Sequence, residues 1–136
     1  TGTSYLLLDD AAVTAYWGQI PGAHVDESQG GWVYNCSITL PPIVVQLQNY
    51  GAEISGDLLN YQTRGNGLCL GALQSSVGLQ HMILGDVFFK AHYVVFSLAS
   101  PGPQLGLAPH TAGAGQAADN VANATVVDAP VPGASQ

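Results

Sequence analysis

The reactive side chains of this chain are few, and their spacing excludes more chemistry than it suggests. Nine acidic residues, four histidines and two cysteines are spread over 136 residues. His24, His81, His92 and His110 stand at no metal-ligand spacing with a cysteine or an acid. They read as single surface or core histidines, and no metal is expected. No Gly-x-Ser-x-Gly elbow is present to expose a nucleophilic serine. The stretch Gly113 to Ala118 has the letters of a dinucleotide fingerprint, but that motif must open a helix inside a βαβ unit of about 30 residues. Too few residues follow Ala118, and Pro130 and Pro132 interrupt them. No cofactor is expected. Cys36 and Cys69 would form a disulfide in an oxidising compartment and stay as buried thiols in a reducing one; the two letters alone do not choose. What remains is the opening Thr1-Gly2-Thr3-Ser4, a small polar turn with three hydroxyls and one glycine.

The elements that must position these groups are mostly extended. Tyr5 to Leu8 is an apolar run. Asp9 or Asp10 then offers a carboxylate to cap the free N–H groups of a first helical turn. Val13, Tyr16, Trp17 and Ile20 follow at helical spacing, which predicts a helix over about 10–20, ended by Pro21-Gly22. From Trp32 onward strands dominate. They are expected at 32–34, 43–48, 52–55, 58–63, 67–73 and 82–84. Tyr93 to Leu98 is the clearest, with aromatic and β-branched residues throughout. Another runs from Gln104 to Ala108. Residues 111–136 carry Ala, Gly, Val and Pro and no aromatic residue, and read as a flexible tail outside the fold.

Composition agrees with one mostly-β domain. Apolar residues make up 47% and charged residues 8%, enough for a core and too little charge for a disordered chain. The 17 glycines and 8 prolines suit many short strands joined by turns. Two basic against nine acidic residues give a net charge of −7, which argues against nucleic acid and against an anionic membrane surface. Asn123-Ala124-Thr125 is a glycosylation sequon and Asn35-Cys36-Ser37 a poorer one, a small weight towards secretion.

Four separate motifs fall in order. Thr1-Gly2-Thr3-Ser4 precedes an apolar run; Met82-Ile83-Leu84-Gly85-Asp86-Val87-Phe88 follows; then come Tyr93-Val94-Val95-Phe96 and Leu105-Gly106-Leu107-Ala108. Over residues 1–110 this order and spacing resembles the C-terminal lobe of the pepsin-like aspartic endopeptidases, in particular fungal ones. There the active-site loop reads Asp-Thr-Gly-Thr-Ser, and an Ile-Leu-Gly-Asp segment packs against it.

The resemblance implies a mostly-β lobe of a two-lobed fold, with one or two short helices. It implies that the catalytic aspartate stands immediately before Thr1, and that its counterpart comes from an N-terminal lobe upstream. Neither aspartate is then in this chain, which alone should be inactive. Thr1, Gly2, Thr3 and Ser4 become the supporting loop. Ile83, Leu84, Gly85 and Asp86 become the brace behind it, with Asp86 a supporting acid. The resemblance also implies a Cys36–Cys69 disulfide, because the family places one at this separation with a Leu-Pro turn just after the first cysteine; Leu40-Pro41 sits there. The expected partners are the N-terminal lobe and a polypeptide substrate, and the expected location is secreted or vacuolar. The alternative is a non-catalytic relative that keeps the fold as a binding or inhibitory protein.

Overall fold

The computed structural model describes residues 2–98, 102–110 and, as backbone, 125–128. The chain opens with β1 (Leu6–Leu8), whose Leu6 and Leu8 are fully buried. Burying each contributes roughly 1.5–3 kcal/mol. Helix α1 (Asp10–Trp17) follows. Asp9 caps it, its side chain accepting from the Ala12 N–H at 3.0 Å, and Val13, Tyr16 and Trp17 face inward. The helix stops three residues before the expected end at Ile20. From Gln19 the bonds tighten to the i−3 pattern, Gln19 N to Tyr16 O and Ile20 N to Trp17 O, so the last stretch is a turn.

Strands then dominate: β2 (His24–Asp26), β3 (Gly31–Asn35), β4 (Ile43–Leu47) and β5 (Tyr50–Ile54). A 3-10 turn at Gly56–Leu59 leads into β6 (Asn60–Gly65), β7 (Leu68–Gly71) and β8 (Leu73–Ser75). The two-residue β9 (Ile83–Leu84) runs into a short helix, α2 (Asp86–Ala91). The hairpin of β10 (His92–Ser97) and β11 (Gln104–Pro109) follows, and β12 (Thr125–Asp128) comes last. Among the described residues these strands form four small sheets, ordered β8-β1-β9, β10-β11, β12-β4-β5 and β2-β3-β7-β6.

Among residues 111–136 the structure describes β12 alone, and β12 is not part of a tail outside the fold. It pairs in parallel with β4, from Thr125 opposite Ile43 to Asp128 opposite Gln46. A β-branched Thr-Val-Val run suits that position, because β4 would otherwise present an open edge. The rest of the expected tail, with the sequon asparagine Asn123, lies outside the described residues.

The core centres on Trp17. Its indole N–H donates to Leu73 O at 3.0 Å. Its ring lies 5.1 Å from Tyr16, 5.5 Å from Tyr34 and 6.1 Å from Trp32. The buried Tyr16 hydroxyl donates to Pro41 O, and burial pushes that phenol well above its usual range. Gln74 is the buried amide that ties two sheets. Its Oε1 accepts from Trp32 N at 2.8 Å, and its Nε2 donates to Gly71 O and Trp32 O.

His92 is less well supported. It is buried, stacked on Phe88 at 4.9 Å and nearly perpendicular to the Tyr50 ring, and its Nδ1 lacks a hydrogen-bond partner among the described residues. Burial holds its pKa below the ordinary value. The unfolded chain therefore takes up the proton first as pH falls through about 6.5, and the folded state loses stability from there down to the folded pKa. His92→Phe in the full-length protein should remove this step. The drop in Tm between pH 7 and 4.5 should shrink by on the order of 2–4 °C, and an unchanged pH profile would refute the assignment.

Candidate active-site loop

The site grows from one backbone arrangement. β1 is the middle strand of its sheet, parallel to β8 and antiparallel to β9, with Leu6 opposite Leu84 and Leu7 opposite Ile83. That register brings the end of β9 under the segment Gly2–Tyr5. Gly85 N donates to Tyr5 O at 3.0 Å, Asp86 N to Thr3 O at 2.9 Å and Val87 N to Ser4 O at 3.2 Å. The first N–H groups of a helix have no partner within the helix. Gly85 caps α2 and supplies no side-chain cap, so these donors are free to hold three consecutive loop carbonyls.

Gly85 is required for a steric reason. A Cβ there would lie 2.3 Å from Thr3 O and 2.4 Å from Tyr5 O. Gly2 is required for a conformational one. It sits at φ 101° with open space around it, in a region that side-chain-bearing residues rarely adopt. Gly2 is exposed, and Thr3 and Ser4 are half-buried. The Ser4 hydroxyl approaches Asp86 Oδ2 at 3.5 Å, which links loop and brace through side chains as well.

Of the residues singled out from sequence, Thr3, Ser4, Gly85 and Asp86 meet through these bonds, and Ile83 and Leu84 pair with β1; Gly2 makes none of these contacts, and Thr1 lies outside the described residues. Ile83 and Leu84 are both half-buried, and Leu84 packs against the core. Cys36 and Cys69 are joined, with Cα atoms 5.1 Å apart, so the end of β3 is tied to β7. Among the described residues no group of histidine, cysteine and acid could hold a metal ion. The sequence did not reveal that Tyr5, at the exit of the loop, meets Tyr61 of β6 at a ring distance of 4.5 Å. Nothing local joins residues so far apart. The one available signal was that β6 carries one of only two cations, Arg64.

The comparisons agree with this geometry. The eukaryotic aspartyl protease family model matches residues 1–110. Penicillopepsin-1 of Penicillium janthinellum is 48% identical over 110 residues, covering 80% of this chain and 33% of that protein. Penicillopepsin-1 of Talaromyces stipitatus is 47% identical over 108 residues, covering 79% and 27%. Aspergillopepsin-1 of Aspergillus oryzae is 45% identical over 108 residues, with the same coverage of 79% and 27%. The chain thus spans about a third or less of the length of these curated relatives. A mostly-β lobe whose opening loop is braced by the β9–α2 junction, matched along residues 1–110, places this chain in the eukaryotic aspartyl protease family, among the pepsin-like peptidases.

Proposed function

We propose that this chain is the C-terminal lobe of an aspartic endopeptidase that hydrolyses polypeptides at acid pH. Residues 1–110 form the body of the lobe, with β12 added to it through β4, and the catalytic aspartate of this half stands immediately before Thr1. The observation that supports this most directly is the clamp on the loop, in which the Gly85, Asp86 and Val87 N–H groups hold Tyr5, Thr3 and Ser4. A carboxylate entering that loop would inherit a fixed position.

In this reading two aspartates, one from each lobe, share a proton, because two close carboxylates cannot both ionise. One takes a proton from a trapped water as general base. The other donates a hydrogen bond to the scissile carbonyl. The pair titrates as a unit in the acid range. Thr1 and Thr3 offer hydroxyls to the loop and substrate, and Gly2 allows close backbone approach. Ser4, Ile83, Leu84, Gly85 and Asp86 support from behind. The substrate lies extended across the cleft between the lobes.

The second lobe also has support on the surface. The β10–β11 hairpin is a two-stranded sheet, marginal by itself. It leaves Tyr93, Val95, Phe96 and Leu105 more than half exposed. Tyr93 and Val95 lie on one face of the hairpin and Phe96 and Leu105 on the other, and an N-terminal lobe packed against the hairpin would cover apolar side chains that are otherwise left to water. Residues 1–136 by themselves are then inactive, and the full-length protein works secreted or in a vacuole.

The test is an assay of the full-length protein on an unfolded polypeptide at pH 3–5 (an order-of-magnitude window set by ordinary carboxyl pKa values of about 4). Activity should be blocked by a statine-type inhibitor. It should fall by about 10²–10⁴ when the aspartate preceding Thr1 is replaced by asparagine. A full-length protein that carries this aspartate and shows no acid activity would overturn the proposal and favour a non-catalytic binding protein.

A further inference from the structure

β3 ends in a turn that carries a motif the catalytic reading leaves unused. Asn35 is the last residue of the strand, exposed and paired with Leu68 of β7. Ile38 N donates back to Asn35 O at 3.0 Å, which closes a turn over Asn35-Cys36-Ser37-Ile38. Inside it, Ser37 N and Ser37 Oγ both donate to Asn35 Oδ1 at 2.9 Å. Ser37 is exposed as well. An aspartate builds the same turn. Asp26 does so at the end of β2, its Oδ1 accepting from Ser28 N at 2.9 Å and from Ser28 Oγ at 2.6 Å. The turn alone therefore does not call for an amide. What asparagine adds is Nδ2, and among the described residues no hydrogen bond holds it.

We infer that Asn35 is an N-glycan acceptor, modified before Cys36 joins Cys69. The inference rests on the secreted or vacuolar reading above, because both routes pass through the oxidising compartment where Asn-x-Ser is glycosylated. The two hydrogen bonds to Oδ1 draw electron density from the amide nitrogen and make its protons easier to lose. The donor is an oligosaccharide carried on a polyprenyl diphosphate. Nδ2 attacks its anomeric carbon, and the N–C bond forms as the C–O bond to the diphosphate breaks. The lipid diphosphate leaves with the electron pair, and one Nδ2 proton passes to a base of the transferase. The folded chain pins the middle of this motif: Cys36 is bonded to Cys69, and its N–H donates to Gly67 O at 2.8 Å. Transfer must therefore come first, and the order of synthesis allows it. Cys69 follows Cys36 by 33 residues, which take roughly 2–7 s to make at about 5–20 residues per second. Through that interval the bond has no second half, and closing it then takes seconds or longer. The glycan stands at the end of the β2-β3-β7-β6 sheet, beside the disulfide, and Asn35 takes no part in the clamp on the loop.

The experiment produces the full-length protein in a eukaryotic secretion host, with Asn123→Gln to silence the other sequon. Peptide N-glycosidase converts a glycosylated asparagine to aspartate, so mass spectrometry of the peptide spanning Asn35 reads the site directly. The exported protein should show that conversion at Asn35 and a matching shift in gel mobility. Asn35→Gln and Ser37→Ala should each abolish the shift, while Ser37→Thr, which keeps the hydroxyl, should retain it. Cys69→Ser is read in whole-cell extracts, so that failure to fold does not hide the result. It should carry the glycan in at least the parent's share, because no bond competes for Cys36. An exported protein with unmodified Asn35 overturns the inference and leaves the secreted reading standing. A glycan found in Cys69→Ser but not in the parent means that the bond closes first, and overturns it too. A full-length protein that stays in the cytosol overturns the secreted reading, and the acceptor with it.

Discussion

Gly85→Ala in the full-length protein is expected to cost more than about 3 kcal/mol of stability and to lower kcat/KM at least about a hundredfold. The conformation of Gly85 is ordinary, at φ −81° and ψ −157°, so torsional strain contributes nothing. The cost is contact. The added methyl would fall 2.3 Å from Thr3 O and 2.4 Å from Tyr5 O, and both are backbone atoms that cannot rotate aside. Either the loop or the β9–α2 junction must retreat by about 1 Å, which stretches three hydrogen bonds at once. Overpacking costs about 1–3 kcal/mol and each hydrogen bond about 1 kcal/mol more.

The loss of activity should exceed what instability explains. The same shift moves the loop that would carry the catalytic carboxylate, and a displacement of about 1 Å is enough for a hundredfold loss. Gly102→Ala is the control. A Cβ there meets nothing within 4 Å, and its φ is not in the left-handed region. Unfolding in urea and kcat/KM on a peptide substrate measure both effects. A Gly85→Ala protein with ordinary stability and activity would show that the clamp does not position the loop.

Much of this arrangement was legible because it is written in local chemistry. Asp9 announced α1, and β-branched and aromatic runs announced β3, β4 and β10. What escaped depends on partners distant in sequence. Asp86–Ala91 has the letters of a strand, with Val87, Phe88 and Phe89 in a row, yet it forms α2. Its first N–H groups are claimed by the loop, and Val87 and Phe88 are buried against the core, so tertiary contacts override propensity. β2 went unseen because His24 and Val25 are both exposed, leaving no alternation to detect. β12 went unseen because its pairing partner, β4, precedes it by most of the chain. The candidate loop was legible as letters, but its clamp uses backbone N–H groups, which no side-chain pattern records.

The disulfide carries the second large effect. Replacing Cys36 and Cys69 together by alanine in the full-length protein should cost about 3–4 kcal/mol, seen as a fall in Tm on the order of 10 °C. The bond closes an interval of 33 residues, and in the chain-entropy picture most of its contribution lies in restricting the unfolded chain. The folded state has other means of keeping these residues together. Tyr34 is paired with Cys69 across β3 and β7, and Cys36 N donates to Gly67 O at 2.8 Å. The geometry should therefore survive the loss of the bond. The clamp on Thr3–Tyr5 is made by the β9–α2 junction, and this sheet reaches it through the ring contact of Tyr61 with Tyr5, so activity at low temperature should remain within about twofold of the parent, taken as a difference under 0.5 kcal/mol. Stability and activity would then separate, whereas Gly85→Ala lowers both. A double-alanine protein that loses activity in proportion to stability would mean that the β3–β7 sheet, and not the β9–α2 junction alone, sets the position of the loop.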